Sequence, residues 1–264
     1  MRPLDELSVA RARHLQGIVF DLDDTLLTAG ELTLEAYEAL HQLHRAGLQL
    51  VACTGRPAAW GEVIARQWPL VLAVTENGAV SVRRQGSTVA LLDRVPPPDR
   101  ERRQRRLERL AAELAQAFPA IERADDNRGR LTDVTFDIGE RCRLPATQVA
   151  ALRRAALARG AGTFLSTIHL HVTFDRDDKA TGTLFALAAA GGIDPSAALH
   201  RFAFVGDSAN DAACFAAFRT TFGVANVADQ LGALTLAPRY VSPGKAGAGF
   251  AQIAARILAL RSSR

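Results

Sequence analysis

The sequence predicts an α/β fold, in which a doubly wound parallel sheet is interrupted by an inserted α/β cap. Short apolar runs alternate with helical patterns over residues 1–78 and again over residues 177–264. This alternation is typical of parallel strands covered by helices on both faces. Residues 79–176 instead contain strands with alternating apolar and polar positions, which indicate a half-exposed sheet. A chain of 264 residues that is 48% hydrophobic can bury a sizeable core.

The first part of the core is predicted to contain three strands joined by two helices. A glycine, Gly47, follows the first helical pattern, and a proline, Pro57, begins the second, as these residue types favour. Strand, helix and strand in succession imply parallel neighbours. The predicted elements are a strand at 17–20, a helix at about 32–46, a strand at 48–53, a helix at about 57–67 and a strand at 70–74.

The cap is predicted to span residues 79–176. It begins with a hairpin, 79–84 and 88–92, and three prolines at 96–98 separate this hairpin from a long helix. The remaining predicted cap elements are helices at about 99–118 and 146–159 and strands at 132–138, 162–166 and 168–174. The core then resumes with helices at 181–190, 209–218 and 247–260 and strands at 201–205 and 220–224.

Composition and charge exclude several classes of protein. The three cysteines, Cys53, Cys142 and Cys214, are too far apart for a Cys-x-x-Cys zinc site and too few for a disulfide framework. The N-terminus lacks the apolar segment of a signal peptide, and no apolar run is long enough to span a bilayer, so we expect a cytoplasmic protein without a membrane partner. The arginine-rich segment 100–109 lacks interleaved aromatic residues, so an ion-paired helix face is expected there and no nucleic-acid partner.

The most informative segment is Asp21-Leu22-Asp23-Asp24-Thr25, which directly follows the first apolar run. Because side chains in a strand repeat with a period of two, Asp21 and Asp23 leave its end on the same side. One carboxylate can attack a phosphorus atom while the other moves a proton. The segment therefore predicts phosphoryl-transfer chemistry.

Four further polar segments follow predicted strands or begin a core helix, where ligands bind in open α/β sheets. They are 54–56, 76–79, 177–180 and 206–211. Lys179, in the third, can offset the charge of an attacking carboxylate and of a phosphoryl group. Asp207 and Asp211, in the fourth, are four residues apart with Ser208 and Asn210 between them, which predicts a site of hard oxygen ligands suited to Mg²⁺.

Together these segments resemble, in order, the phosphatase pattern of the haloacid dehalogenase superfamily. The cap after the third strand resembles the branch that includes the Cof-type sugar phosphatases, sucrose-phosphate phosphatase and mannosyl-3-phosphoglycerate phosphatase. This resemblance implies that Asp21 is the nucleophile, Asp23 the general acid and base, and Thr54 and Lys179 the phosphate clamp. It implies a Mg²⁺ site formed by Asp21, Asp23 through its backbone carbonyl, Asp207 and Asp211, supported from outside by Ser208 and Asn210.

Other positions are predicted to contact the substrate or match the resemblance only in part. The predicted substrate-binding residues are Gly55, Arg56, Asn77, His169 and His171. The alternating pair His169 and His171 has no third ligand at a suitable spacing, so a zinc site is not expected; the pair either lines the cap and faces the substrate or packs in its interior. Residues 222–226 resemble a segment that often follows in relatives. At two other positions this chain departs from its relatives: Ala180 replaces a common glycine, and Cys214 replaces a common methionine.

The leading functional prediction is a Mg²⁺-dependent phosphatase that hydrolyses a small phosphorylated metabolite, a sugar phosphate, through an aspartyl-phosphate. The alternative is a phosphomutase of the phosphomannomutase type, which needs a second phosphate site in the cap. Five arginines could supply that site: Arg123, Arg128, Arg130, Arg141 and Arg143. A catalytically inactive phosphate-binding protein is the third possibility. The sequence predicts neither the particular metabolite nor the oligomeric state.

Overall fold

The computed structural model describes residues 1–141, 143–166, 168–232 and 234–263, so Cys142 lies outside the described residues. The strands are β1 Arg2–Pro3, β2 Gly17–Phe20, β3 Gln49–Cys53, β4 Leu72–Thr75, β5 Val80–Gln85, β6 Thr88–Asp93, β7 Asp133–Asp137, β8 Gly162–Leu165, β9 His169–Thr173, β10 Phe202–Gly206, β11 Thr220–Gly223 and β12 Tyr240–Val241. The α-helices are α1 Val9–His14, α2 Leu34–Arg45, α3 Ala58–Gln67, α4 Pro97–Ala117, α5 Ala146–Ala158, α6 Lys179–Gly191, α7 Pro195–Arg201, α8 Ala212–Ala217 and α9 Ala246–Ser262. Short 3-10 turns occur at Leu4–Glu6, Glu76–Gly78, Asp125–Gly129, Ala209–Asp211 and Ala225–Gln230.

The core of the described chain is a nine-stranded sheet in the order β1-β12-β11-β10-β2-β3-β4-β5-β6. All neighbours from β1 to β4 are parallel, and only the last two pairings are antiparallel. In the central strand β2, Ile18 and Phe20 join the apolar core on one face, and Val19 joins the core on the other. The predicted doubly wound parallel sheet is thus confirmed, because a strand buried on both faces is typical of that arrangement.

Helices cover both faces of this sheet. Residues of α2, α3 and α9 pack into the same apolar core as Phe20. Residues of α6, α7 and α8 pack on the opposite face with Val19. Sheet and helices together therefore form the three layers expected when parallel strands are connected through helices.

A second, three-stranded antiparallel sheet in the order β7-β9-β8 forms the centre of the cap. Leu170 and Val172 of β9 pack with α4 and α5 in the apolar core of the cap. The alternate residues His169 and His171 lie on the other face of the strand, because successive side chains point to opposite sides. That second face carries the polar side chains that line the site described below.

The hairpin β5–β6 differs from the sequence prediction, which placed it in the cap. Strand β5 pairs with β4, with Ala73 opposite Val82 and Thr75 opposite Val80, so the hairpin extends the core sheet. Val80 and Val82 are buried there. The alternating pattern correctly predicted a half-exposed hairpin but carries no information on which sheet it joins. A cap that begins after β6 is the division we propose from this hydrogen bonding.

Within the described ranges, no single helix is long and apolar enough to cross a bilayer. The helices α6 and α7 reach the length and apolar composition of a membrane span only when they are taken together, and the chain bends by 109° between them.

Candidate active site

The carboxyl ends of four adjacent strands, β10, β2, β3 and β4, meet at one edge of the core sheet. Phe20 is in register with Ala52 on one side and Val205 on the other, so the loops that follow these strands are neighbours. The backbone N–H of Asp21 donates to the Val205 carbonyl at 2.9 Å and continues the ladder by one residue. The predicted polar segments are therefore brought together as expected.

The side chain of Lys179 lies between two carboxylates. Its Nζ is 2.7 Å from Asp21 Oδ2 and 2.7 Å from Asp211 Oδ1, and the lysine is fully buried. Burial alone would lower the pKa of Lys179, but the two carboxylates outweigh it and hold the pKa above its usual range. The lysine is thus a permanent cation in contact with the predicted nucleophile.

Asp207 is held by two side chains from separate loops. The Thr25 hydroxyl donates to Asp207 Oδ1 at 2.7 Å, and the Asn226 amide donates to Oδ2 at 3.0 Å. Asn226 also donates to the Asp24 carbonyl at 2.9 Å, which ties the first motif to the loop after β11. Both residues were missing from the predicted site, although Thr25 belongs to the first motif and Asn226 to the segment that matches relatives.

The carboxylates of Asp21, Asp207 and Asp211 form a cluster whose oxygens lie within 4.8 Å of one another. Burial raises the pKa of Asp21 to about 7, and repulsion by Asp211 adds to the rise while Lys179 opposes it. Burial likewise raises the pKa of Asp207 to about 8, with repulsion from Asp211 and Asp21. A divalent cation between these groups would favour their ionised forms.

The hydrogen bonds show which oxygens of this cluster could bind such a cation. Each oxygen of Asp21 and Asp207 makes one contact with the protein, so each retains a lone pair. Asp211 Oδ2 accepts from two backbone N–H groups, those of Asp207 and Ser208, at 2.9 and 3.1 Å, and Oδ1 contacts Lys179. The donor set fits Mg²⁺, a hard cation that prefers carboxylate oxygens, and Asp21 and Asp207 are better placed than Asp211 to bind it directly.

Asp23 is held by Arg56, which the sequence predicted to bind substrate. Arg56 contacts both carboxylate oxygens at 2.6 to 3.1 Å, and its guanidinium lies 3.9 Å from the centre of the Trp60 ring. All three side chains line a common cavity. The predicted general acid and base is therefore oriented by a neighbouring loop and remains accessible to a ligand.

The predicted residues Thr54 and Asn77 are buried behind the cavity. The Thr54 hydroxyl accepts from the Arg56 N–H at 3.0 Å, which leaves its proton available. Asn77 adopts a left-handed conformation with φ 55°. Its side-chain oxygen, Oδ1, accepts from the side-chain amide of Asn210 at 3.3 Å. Its own amide nitrogen is buried and has no partner within the described residues, so Asn77 retains an unused donor next to the site.

Glu76 joins the core to the cap. Its carboxylate accepts from the Ala58 N–H in the core at 2.9 Å and from the N–H groups of Leu131 and Thr132 in the cap. Burial raises the pKa of Glu76 to about 7; Asp133 adds to the rise, and Thr132 opposes it. Residues 76–79 were predicted as one of the polar segments beside the site, but no sequence pattern pointed to this buried link between core and cap.

A cavity of about 180 Å³ lies between the strand ends of the core and the polar face of the cap. Of the predicted residues, Asp21, Asp23, Gly55, Arg56, His169, His171, Asp207, Ser208 and Asn210 line it, whereas Thr54, Asn77, Lys179 and Asp211 are buried behind them. The cap supplies the rest of the wall with Asp125, Asp126, Arg130, Glu140, Ser166 and Ile168. Sequence analysis gave no signal for these loop residues, apart from Arg130 in the arginine group.

The two histidines of β9 are each paired with a carboxylate of the cap. His169 Nε2 lies 2.8 Å from Glu140, and His171 Nδ1 lies 2.7 Å from Asp133. Among the described residues, the acidic and histidine side chains close enough together to hold a metal ion are those of the aspartate cluster, which includes neither histidine. Both histidines line the cavity, where the sequence placed them.

Three of the five cap arginines are already neutralised by acids. Arg123 pairs with Glu108 at 2.9 Å, Arg130 pairs with Asp126 and Asp133, and Arg141 pairs with three acidic residues, Glu122, Asp125 and Asp137. A second phosphate site would need their charge to be free. These three arginines therefore give no support to a second phosphate site. In the arginine-rich segment of α4, Arg100 binds Asp93 and Asp175, in line with the predicted ion-paired helix face.

The fold and the site together define a class of protein: a Rossmann-like core with a cap, whose acidic cluster and buried lysine lie at the carboxyl ends of parallel strands. Comparison with protein families agrees, since residues 18–93 match the model of the haloacid dehalogenase-like hydrolases. No curated protein matches the chain by sequence.

Solved structures extend this agreement over almost the whole chain. A Thermoplasma acidophilum protein is 18% identical, with a TM-score of 0.73 over 92% of this chain and 98% of that one. The sucrose-phosphatase of Synechocystis, solved with sucrose and phosphate, is 19% identical, with a TM-score of 0.64 over 92% and 98%. A haloacid dehalogenase superfamily phosphatase of Bacteroides thetaiotaomicron is 19% identical, with a TM-score of 0.62 over 93% and 95%.

The resemblance predicted from the sequence is thereby confirmed. Residues 18–93 match the haloacid dehalogenase-like hydrolases in sequence, and the chain has the fold of that superfamily's capped phosphatases. The sequence match of residues 18–93 supports the prediction of a hydrolase.

Proposed function

We propose that the protein is a Mg²⁺-dependent phosphatase that hydrolyses a small phosphorylated metabolite, a sugar phosphate, through an aspartyl-phosphate on Asp21. The observation that carries the proposal is the contact of Lys179 with Asp21, within an acidic cluster that borders the cavity. A carboxylate that attacks a phosphate ester approaches another anion, so it needs cations beside it. Lys179 is one such cation.

Mg²⁺ would be held by Asp21, Asp207 and the backbone carbonyl of Asp23, and when bound it supplies a Lewis acid that offsets the charge between carboxylate and phosphoryl group. Thr25 and Asn226 orient Asp207 for that role. Asp211 acts through its neighbours, since it fixes both Lys179 and the loop after β10. Positioning of this kind provides much of the rate in phosphoryl transfer.

The reaction proceeds in two displacements. An oxygen of Asp21 forms a bond to phosphorus as the ester oxygen leaves, and Asp23 gives that oxygen a proton. Water then attacks the phosphorus, Asp23 takes its proton, and the bond to Asp21 breaks to release phosphate. Arg56 holds Asp23 at the edge of the cavity, where both proton transfers would occur.

A sugar phosphate is the proposed substrate because the cap wall is rich in polar side chains and the neighbouring Trp60 adds apolar surface. This combination suits a polyhydroxylated ring. The sucrose-phosphatase neighbour, whose structure contains sucrose and phosphate, agrees with this class.

The test is phosphate release from a panel of sugar phosphates and from p-nitrophenyl phosphate, with Mg²⁺ and with excess chelator. We expect release that requires Mg²⁺ and is abolished in Asp21→Asn, a variant of nearly the same volume whose fold is checked by thermal unfolding. Substantial release by that variant, or undiminished release in chelator, would contradict the proposal.

A further inference from the structure

His171 lies in the cap wall of the cavity, where one of its two ring nitrogens is engaged and the other is open. Nδ1 is 2.7 Å from Asp133 Oδ2, whereas Nε2 has no hydrogen-bond partner among the described residues. A Cβ at position 55 would lie 3.2 Å from His171 Cε1, so Gly55 allows the catalytic loop to approach the ring closely. The open nitrogen is therefore in the wall beside the reacting groups.

The neighbours of Asp133 determine which nitrogen of His171 carries the proton. Arg130, whose side chain is 1% exposed, donates to both oxygens of Asp133 at 2.9 and 3.1 Å. Burial alone would raise the pKa of Asp133, but Arg130 and His171 outweigh it and lower the pKa. Because an ionised carboxylate can only accept, His171 donates its Nδ1 proton to Asp133.

The state of the ring follows from this pairing. Burial lowers the pKa of His171 although Asp133 opposes the shift, so the ring is neutral at physiological pH. A neutral imidazole has one protonated nitrogen, and here that nitrogen is Nδ1. Nε2 therefore presents a lone pair, which can accept a hydrogen bond and cannot donate one.

Arg130 also fixes the position of this unit relative to the core. It donates to the Gly55 carbonyl at 2.9 Å, across the boundary between the cap and the catalytic loop. The chain of contacts from Gly55 through Arg130 and Asp133 to His171 holds the imidazole at a defined distance from that loop. By contrast, the second cavity histidine, His169, already uses its Nε2 on Glu140.

We propose that His171 is a specificity-determining residue whose Nε2 accepts a hydrogen bond from a hydroxyl of the leaving group. The enzyme then prefers phosphate esters of polyhydroxylated alcohols over esters whose leaving group has no donor. A leaving group with only a carbonyl or ether oxygen at this point is disfavoured, because two lone pairs would face each other. This inference rests on the proposed function and adds the feature of the substrate that is recognised.

The kinetic test compares wild type with His171→Phe and His171→Gln on two kinds of ester. Hydroxylated substrates are glucose 6-phosphate, mannose 6-phosphate, fructose 6-phosphate and ribose 5-phosphate, and the ester without a donor is p-nitrophenyl phosphate. We expect wild type to prefer at least one sugar phosphate. In the His171→Phe variant, kcat/KM for the preferred sugar phosphate should fall roughly tenfold to a hundredfold, the usual effect of losing one such hydrogen bond.

The loss in His171→Phe should be much larger on the preferred sugar phosphate than on p-nitrophenyl phosphate, and His171→Gln should recover part of the preference, since its amide oxygen can accept. An equal loss on both kinds of ester, or a wild type without preference for any sugar phosphate, would overturn the inference and leave the phosphatase proposal standing. A wild type that hydrolyses neither kind with Mg²⁺ would overturn both.

A second measurement does not depend on activity. In protein labelled with ¹⁵N-histidine, the His171 signal, assigned by its loss in His171→Phe, should show a protonated Nδ1 and an unprotonated Nε2 at neutral pH. The opposite tautomer, or a doubly protonated ring, would contradict the proposed acceptor.

Discussion

The guanidinium of Arg56 binds both carboxylate oxygens of Asp23, with nitrogen–oxygen distances of 2.6, 3.0 and 3.1 Å. The same guanidinium stacks on Trp60. The ion pair is fixed on two sides, by a planar carboxylate and by an aromatic face. This geometry requires arginine, because a lysine has neither the planar fork nor the flat stacking surface.

Arg56→Lys is therefore expected to lower kcat about tenfold or more, because proton transfer by a well-positioned group contributes about 10²-fold to 10⁴-fold. The stability of the fold should change little, since this pair is partly exposed. Steady-state kinetics on the best substrate, over a range of pH, will measure the effect. Arg66→Lys, on the surface of the helix α3 that follows Arg56, is the matched control, and an equal loss in that variant would contradict the assigned role.

Replacement of Lys179 by methionine is expected to destabilise the protein and abolish activity. The variant would leave Asp21 and Asp211 buried without their cation, and breaking a buried ion pair costs about 3–5 kcal/mol. Urea unfolding at neutral pH will measure the loss. Lys245→Met removes an exposed pair with Asp229, so it should change the free energy of unfolding by at most about 1 kcal/mol.

Glu76 predicts a pH dependence of stability. Burial raises the pKa of Glu76 to about 7 in the folded state, against 4.5 for an unperturbed glutamate, so between these values the folded protein binds more protons than the unfolded one. The contribution of Glu76 to the free energy of unfolding is therefore complete below pH 4.5 and is lost as the pH rises towards 7. The free energy of unfolding falls by up to about 1.4 kcal/mol per pH unit in this range.

Comparison with Glu76→Gln isolates this contribution, because glutamine does not ionise. Across urea unfolding curves from pH 5 to 8, the stability of wild type relative to the variant should fall as the pH rises. A difference between the two proteins that stays constant with pH would show that Glu76 does not titrate in this window.

Gly182→Ala is expected to disrupt the packing of α6 although alanine is a better helix former. A Cβ at this position would lie 2.1 Å from the Gly78 carbonyl oxygen, so the loop after β4 would have to move. The loss should exceed the roughly 0.5–1 kcal/mol that alanine gains in a helix. Thermal unfolding and activity will both report it. Gly191→Ala, at the end of the same helix with contacts no closer than 3.4 Å, should be nearly neutral.

The core side of the site could be predicted from the sequence, because each polar segment that forms it directly follows a strand or begins a helix. Asp21, Thr54 and Asp207 could be placed at one edge of the sheet because each follows a predicted parallel strand. The partners Arg130 and Asp133 could not, because their contacts with Gly55 and His171 join positions far apart in the chain and depend on how the cap sits on the core. The pairing of the hairpin β5–β6 with the core sheet was not predictable for a similar reason, since strand pairing is not encoded in the pattern of one strand.

Residues of strand β9 alternate between packing in the apolar core of the cap and lining the cavity. Leu170 and Val172 maintain the apolar core, while His169 and His171 face the cavity. Under the proposed function, substitutions at the second pair would change which alcohol is recognised while leaving the apolar contacts of the first pair and the aspartates of the core in place. Such a strand is a natural target for directed evolution, since a library confined to its alternate positions varies the cavity wall and keeps the apolar core.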